Sequence, residues 1–113
     1  MEAGRSWKAR ASLEAARVTT LLALLEARRQ AYLTEGTAEL RAEPGATHVT
    51  VVTSGLAERR LALPAEVTVA DVSRGGRVRF FPSGLAENAT IRLALGSDAA
   101  GVAVVTNQRG EVR

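Results

Sequence analysis

The sequence lacks cysteine altogether and contains a single histidine, His48. The lack of cysteine excludes a disulfide-stapled miniprotein, a zinc finger, a cysteine-ligated iron–sulfur site and a cysteine nucleophile, and one histidine excludes a polyhistidine metal site. Long apolar runs are also missing. The longest covers residues 21–25, whereas a helix that crosses a bilayer needs about 20 apolar residues. These absences predict a chain without a metal site, a cofactor or a membrane span of its own.

A large excess of positive charge is missing too, although the pI is about 10.5. Fifteen Lys and Arg residues oppose twelve Asp and Glu residues, so the net charge is only +3. The pI is high because every basic residue except Lys8 is an arginine, which stays protonated in proteins. A dedicated nucleic-acid-binding protein usually carries a denser basic cluster. The composition that is present, 46% hydrophobic and 24% charged among 113 residues, is typical of a globular domain.

The first third of the chain has the pattern of one helix, because residues 6–35 contain neither Gly nor Pro and are rich in Ala, Leu, Arg and Glu. Thirty helical residues form a rod about 45 Å long, and Gly36 is a candidate C-cap. At 100° per residue, apolar residues gather in a stripe about 120° wide. They are Ala11, Ala15, Val18, Leu21, Leu22, Leu25, Tyr32 and Leu33. From this stripe we predict that Val18, Leu21, Leu22 and Leu25 pack against a sheet. The expected facing residues include Val51, Phe80, Leu93 and Val104.

After Gly36 the apolar residues recur with a period of two residues. This pattern predicts strands with one buried and one solvent-exposed face, as along residues 90–95. Turn signals separate about seven predicted strands. They span residues 37–42, 48–53, 60–63, 67–72, 77–81, 90–95 and 102–106. The predicted fold class is α+β. One long N-terminal α-helix (residues 1–36) packs on an antiparallel β-sheet head (residues 37–113), and together they form one domain.

Residue patterns that carry chemistry are scarce. His48 opens a predicted strand with no nucleophile signature around it, and no serine lies in a Gly-x-Ser-x-Gly elbow. We therefore predict no catalytic, cofactor-binding or metal-binding residue, and a protein that is not an enzyme. The alternative from another class, a small soluble ligand-binding domain or enzyme, would need a pocket with convergent polar groups.

Two pairs of arginines are candidates for contact with phosphate. Arg77 and Arg79 alternate with apolar residues and therefore point to one sheet face, while Arg109 and Arg113 lie at the C-terminus. Arginines in a row can bind the DNA backbone. They can equally form the solvated face of a strand, paired with Asp71 or Glu87.

The order of motifs in the second half resembles the C-terminal domain of GspH/FimT-type pseudopilins. The family shows a strand that ends in Phe-x-Pro-x-Gly, a Thr-x-x-Leu strand, and a valine-rich strand closed by Gly-Arg-x-Arg or a similar motif. Here they correspond to Phe80–Gly84, Thr90–Leu93, Val102–Val105 and Gly110–Arg113. Upstream, Ala27–Ala31 resembles the Ala-Arg-x-x-Ala of the family's helix, so the resemblance covers roughly residues 18–113.

The resemblance implies a type IV pilin-like fold and a minor structural subunit of a type II secretion pseudopilus or a type IV pilus. Such subunits are cleaved from prepilins and methylated. They are anchored in the inner membrane by the first half of the helix, hold the head in the periplasm, and contact other pilins through the helix and the rim of the head. Some members bind DNA in natural transformation, which is the alternative function that the resemblance implies here.

Two departures from the family matter. The hydrophobic first half of the helix is missing, and the residues before Leu13 include the charged Glu2, Arg5, Lys8 and Arg10, which a membrane would not accept. We therefore interpret residues 1–36 as a shortened pilin helix whose first residues can come from a vector, and we expect about 20 apolar residues before it in the full protein. In addition, Glu111 stands where DNA-binding members carry an arginine. A carboxylate repels phosphate, so we expect any DNA binding to be weak and independent of sequence.

Overall fold

The computed structural model describes residues 2–96 and 101–113, so Met1 lies outside the described residues. One α-helix, α1 (Glu2–Thr34), is followed by seven strands within the described part. These are β1 (Ala38–Arg41), β2 (His48–Thr53), β3 (Arg59–Ala62), β4 (Val67–Val72), β5 (Arg77–Phe80), β6 (Ala89–Leu95) and β7 (Gly101–Thr106). A short 3₁₀ turn at Arg74–Gly76 precedes β5. The α+β architecture and the strand positions predicted from the sequence are confirmed.

The helix determines the length of the molecule. Its 33 residues span about 50 Å at 1.5 Å each, which matches the longest axis of 51 Å. The helix ends because Glu35 turns into the left-handed region, with φ at 53°. The N–H of Gly36 then donates to the carbonyl of Ala31 at 3.2 Å, which is the bond of a Schellman C-cap. The chain thus reverses at Glu35, one residue earlier than the predicted cap.

The strands form two antiparallel sheets, where the sequence predicted one. The first has the order β3-β2-β1-β5 and the second the order β4-β6-β7. The loop after β1 joins them, because the N–H of Gly45 donates to Val69 at 2.7 Å and the N–H of Val69 donates to Ala46 at 3.0 Å. Alternation of apolar and polar residues indicates a half-buried strand, but it carries no information about which strands pair with each other.

The core lies between α1 and the inner faces of both sheets. The helix contributes a mostly alanine-lined strip, here called the alanine face, which consists of Leu13, Ala16, Thr20, Ala23, Leu24, Ala27 and Ala31. All seven are buried. The sheets contribute Val51, Phe80, Leu93 and Val104, which are buried as expected. Small side chains let the helix axis approach the sheets closely, so that the bulk of the core comes from the strands.

The predicted helix–sheet contacts are therefore wrong at three of their four helix positions. Val18, Leu22 and Leu25 are 41%, 58% and 43% exposed. Leu21 is partly buried and packs at the margin of the core. The predicted stripe is centred about half a turn round the helix from the alanine face. The helix has two apolar faces, and the one with the smaller side chains faces the sheets.

Candidate functional site

A row of exposed apolar side chains lies along the side of α1 that faces away from the sheets. We call it the apolar face. It consists of Trp7, Val18, Leu22, Leu25, Tyr32 and Leu33, which are between 41% and 71% exposed. At 100° per residue these six side chains fall within a sector about 100° wide. Large apolar side chains exposed along one face of a helix are typical of surfaces that bind another molecule.

Two arginines near the apolar face, Arg17 beside it and Arg29 within its sector, are paired with glutamates of the same helix. Arg17 donates two hydrogen bonds to Glu14, at 2.7 and 3.0 Å, and Arg29 lies 3.7 Å from Glu26. The hydrogen bond from Arg17 lowers the pKa of the Glu14 carboxyl, and the same contact raises the pKa of Arg17. Arg17 and Arg29 can therefore approach another apolar surface together with their own carboxylates, whereas Arg10 and Arg28 have no ion-pair partner among the described residues.

Near the C-terminal end of α1, the apolar face opens into a groove of about 450 Å³ between the helix and the loop after β5. The groove is lined by Leu25, Arg28, Arg29, Tyr32, Pro82, Ser83 and Gly84. Its wall is held by a close approach of two loops, because a Cβ atom on Gly110 would collide with the carbonyl oxygen of Gly84 and lie 3.5 Å from the Nε of Arg28. The residue at position 110 also has a φ of 80°, which favours glycine.

The arginines predicted as phosphate contacts are not gathered into one cluster. Arg77 and Arg79 project from the outer face of the four-stranded sheet, and Arg79 lies 3.9 Å from Glu87. This ion pair matches the solvated-face interpretation. Arg109 and Arg113 belong instead to the C-terminal turn and the segment that pairs with β7.

Glu111 is an internal part of that C-terminal turn. The Asn107 amide donates to its carboxylate at 2.7 Å, while the Asn107 side-chain oxygen accepts from the N–H groups of Arg109 and Glu111 at 2.9 and 3.1 Å. The glutamate therefore stabilises the turn and also places a negative charge between the two arginines along the chain.

The other concavities have volumes between about 160 and 320 Å³, and the one of about 320 Å³ is lined by residues that include Lys8, Ser12 and Glu66. A depression of about 160 Å³ is lined by residues that include Arg41, Glu43, His48 and Glu58. Across the described residues, no three metal-ligating side chains come together. Within the same part of the chain, no helix is both long enough and apolar enough to cross a membrane.

The sequence contains a signal for the alanine face that the predicted apolar stripe did not include. Ala16, Thr20, Ala23, Ala27 and Ala31 recur at spacings of three and four, which places them on one side of a helix. These residues are small and weakly hydrophobic, so the leucines and valines on the other side of the helix dominate the hydrophobic pattern.

No protein-family model matches the sequence, and no curated protein matches it either. Among solved structures, the chain is similar to the type IV minor pilin FimU of Pseudomonas aeruginosa strain PAO1 in two crystal forms. For the P21 form the TM-score is 0.65 at 14% identity, over 96% of this chain and 89% of that chain. For the P65 form the TM-score is 0.62 at 15% identity, over 92% of this chain and 90% of that chain. This likeness confirms the type IV pilin-like fold that the resemblance implied.

Proposed function

We propose that this protein is a minor pilin or pseudopilin, a structural subunit that assembles with other pilins through the apolar face of α1. The observation that carries the proposal is the uncovered apolar face on the side of the helix opposite the head. A monomeric role would leave Leu22 and its neighbours in water, whereas a bundle of helices from several subunits would bury them. Burial of one Leu or Val side chain stabilises a contact by about 1.5–3 kcal/mol when exposure is complete beforehand, and by less here because these side chains are only partly exposed.

The proposal includes an anchor that precedes the segment. About 20 apolar residues before it would extend α1 into the bacterial inner membrane and hold the head in the periplasm. The apolar face then continues the surface of that anchor, so that one helix contacts lipid before assembly and neighbouring subunits afterwards.

We rank DNA binding in natural transformation below the structural role. Arg79 is engaged by Glu87, and Glu111 lies in the same turn as Arg109. A gel-shift titration at low and at physiological salt tests this ranking. Submicromolar binding at physiological salt, lost when Arg109 and Arg113 are replaced by Ala, would make DNA uptake the better proposal.

The decisive experiment places a carboxylate on the apolar face of the full-length protein in its own bacterium. We expect Leu22→Glu to reduce incorporation into filaments at least tenfold, because assembly would bury the new charge. Leu56→Glu is the matched control, since Leu56 is 53% exposed in a loop whereas Leu22 is 58% exposed on the helix. Equal incorporation of both variants would overturn the proposal.

The phenotype of a gene deletion distinguishes the machines. Loss of surface pili indicates a pilus subunit, and loss of exported proteins with normal pili indicates a secretion pseudopilus. Loss of transformation alone, with pili and secretion intact, supports the DNA-uptake role.

A further inference from the structure

Three of the four sheet edges are covered by backbone from elsewhere in the chain. The edge of β4 bonds to residues 45–46, and the edge of β5 pairs with residues 85–87. At the edge of β7, Val105 and Arg113 exchange two hydrogen bonds, at 3.0 and 2.9 Å. The edge of β3 has no such cover among the described residues. Proteins generally protect sheet edges, because an open row of N–H and C=O groups pairs readily with another strand.

The pairing register identifies which groups β3 leaves open. The N–H of Leu63 donates to the carbonyl of Thr47 at 2.9 Å, and the register then directs the backbone groups of Arg59 and Leu61 toward β2 as well. The N–H and C=O groups of Arg60 and Ala62 point the other way. No hydrogen-bond partner for these four groups lies within residues 2–96 and 101–113.

The side chains beside this edge select the chemistry of a partner. On the outer face, one row crosses the sheet through Arg60, Thr50, Arg41 and Arg77. Arg41 is neutralised by Glu39 at 2.9 Å and Glu58 at 3.7 Å. Arg60 is exposed and forms no ion pair with any described residue. Because opposite charges stabilise facing positions of neighbouring strands, a carboxylate is favoured beside Arg60.

The inner face of β3 favours an apolar neighbour. Leu61 is partly buried and packs against the core, and Arg59 extends toward Glu26 of the helix at 4.0 Å. A strand added beside β3 would direct every second side chain to the inner face of the sheet, and one of these side chains would lie next to Leu61 at the margin of the core. An apolar residue at that position would extend the core by one strand.

We propose that the edge of β3 receives an extended strand from the head of a neighbouring subunit. That strand carries a carboxylate on the side of Arg60 and an apolar residue on the side of Leu61. The identity of the donor as a neighbouring subunit rests on the function proposed above. A second copy of β3 is disfavoured as the partner, because it would bring a second unpaired Arg60 to the same outer face and β3 itself contains no carboxylate to oppose it.

A peptide that imitates such a strand tests the site directly. The probe is an acetylated and amidated heptapeptide in which valine alternates with threonine or glutamate, Thr-Val-Glu-Val-Glu-Val-Thr, and the control peptide has lysine in place of glutamate. On the isotope-labelled chain, we expect the glutamate peptide to slow hydrogen exchange at the amides of Arg60 and Ala62 at least tenfold. The amides of Arg59 and Leu61, which already bond to β2, should change little. Protection at another edge, or equal binding of the two peptides, would overturn the proposal.

Two substitutions separate backbone pairing from charge. Ala62→Pro removes one outward N–H and leaves the hydrogen bonds to β2 intact. It should therefore weaken the binding of both peptides without unfolding the protein. Arg60→Glu should reverse the preference in favour of the lysine peptide. If both variants bind the glutamate peptide as well as wild type does, and their circular dichroism spectra show that they are folded, the proposed site is wrong.

Filament assembly distinguishes this inference from the proposed function. If both hold, Leu22→Glu and Ala62→Pro each reduce incorporation of the full-length protein. If Leu22→Glu reduces it and Ala62→Pro does not, the helix-mediated role stands and the strand site is wrong. If neither variant reduces it, both are overturned.

Discussion

Leu22 and Leu24 lie two positions apart on one helix, yet Leu24 is completely buried while Leu22 is 58% exposed. Their side chains point to nearly opposite sides of α1, since two helical steps turn through about 200°. Leu24 belongs to the alanine face and packs against the sheets, and Leu22 belongs to the apolar face. The same residue type thus packs in the core at one position and is left exposed at the other.

Replacement of these two leucines by alanine should have very different costs. We expect Leu24→Ala to lower the free energy of unfolding by about 2–5 kcal/mol, because it removes a buried side chain and leaves a cavity. Leu22→Ala should change it by less than about 0.5 kcal/mol, as is usual at exposed sites. Urea denaturation of both variants measures the difference. A larger loss at Leu22 would restore the packing predicted from the sequence.

Enlargement of a small residue tests the close approach of helix and sheets. Ala27→Leu should destabilise the protein by about 1–3 kcal/mol or more, since a completely buried methyl group has no room beside it for a larger side chain. Ala15→Leu is the control on the exposed side of the helix, where the change should be close to neutral. Thermal unfolding followed by circular dichroism provides the comparison. Equal melting temperatures for the two variants would show that the interface is loose.

The helix terminus offers a stabilising substitution. Glu35 has a φ of 53°, a conformation that costs an L-residue roughly 1–2 kcal/mol and costs glycine little. Glu35→Gly should therefore raise the free energy of unfolding by up to about 1 kcal/mol, the gain being reduced by the greater freedom of glycine in the unfolded chain. Gly36→Ala is the control. Gly36 does not have a positive φ, and an added Cβ would meet Thr34 at an ordinary 3.6 Å. A destabilised Glu35→Gly variant would contradict the cap.

The Glu14–Arg17 pair predicts a small dependence of stability on acid. Arg17 lowers the pKa of Glu14 from its ordinary value of 4.5, so the folded state favours the ionised carboxylate. The stabilisation is present above pH 4.5 and disappears as the pH falls through the lowered pKa of the folded state. We expect wild type to be more stable than Glu14→Gln at pH 7 and the two to converge in acid. The effect should be small because the pair is exposed. A difference between the two proteins that grew toward low pH would have the wrong sign for this pair.

The sequence by itself determined the order and type of the elements. A stretch from residue 6 to residue 35 without Gly or Pro can form one helix, and the change to period two after Gly36 predicts strands, because both signals depend on neighbours along the chain. The ordered motifs from Phe80–Gly84 to Gly110–Arg113 were sufficient to indicate the type IV pilin-like fold. The row of Arg77 and Arg79 was also expected to pair with Asp71 or Glu87, and Arg79 lies 3.9 Å from Glu87.

Only the tertiary structure decided which face of the helix is covered, how the strands divide into two sheets and which sheet edge stays open. Helical periodicity assigns an angle to Leu22 and to Leu24, but either stripe could have faced the head. The choice depends on how closely α1 approaches the strands, and that distance is set by the alanines together with the bulk of Phe80 and Leu93 across the core. The open edge at Arg60 and Ala62 likewise results from backbone pairing between residues far apart in sequence, which no local pattern records.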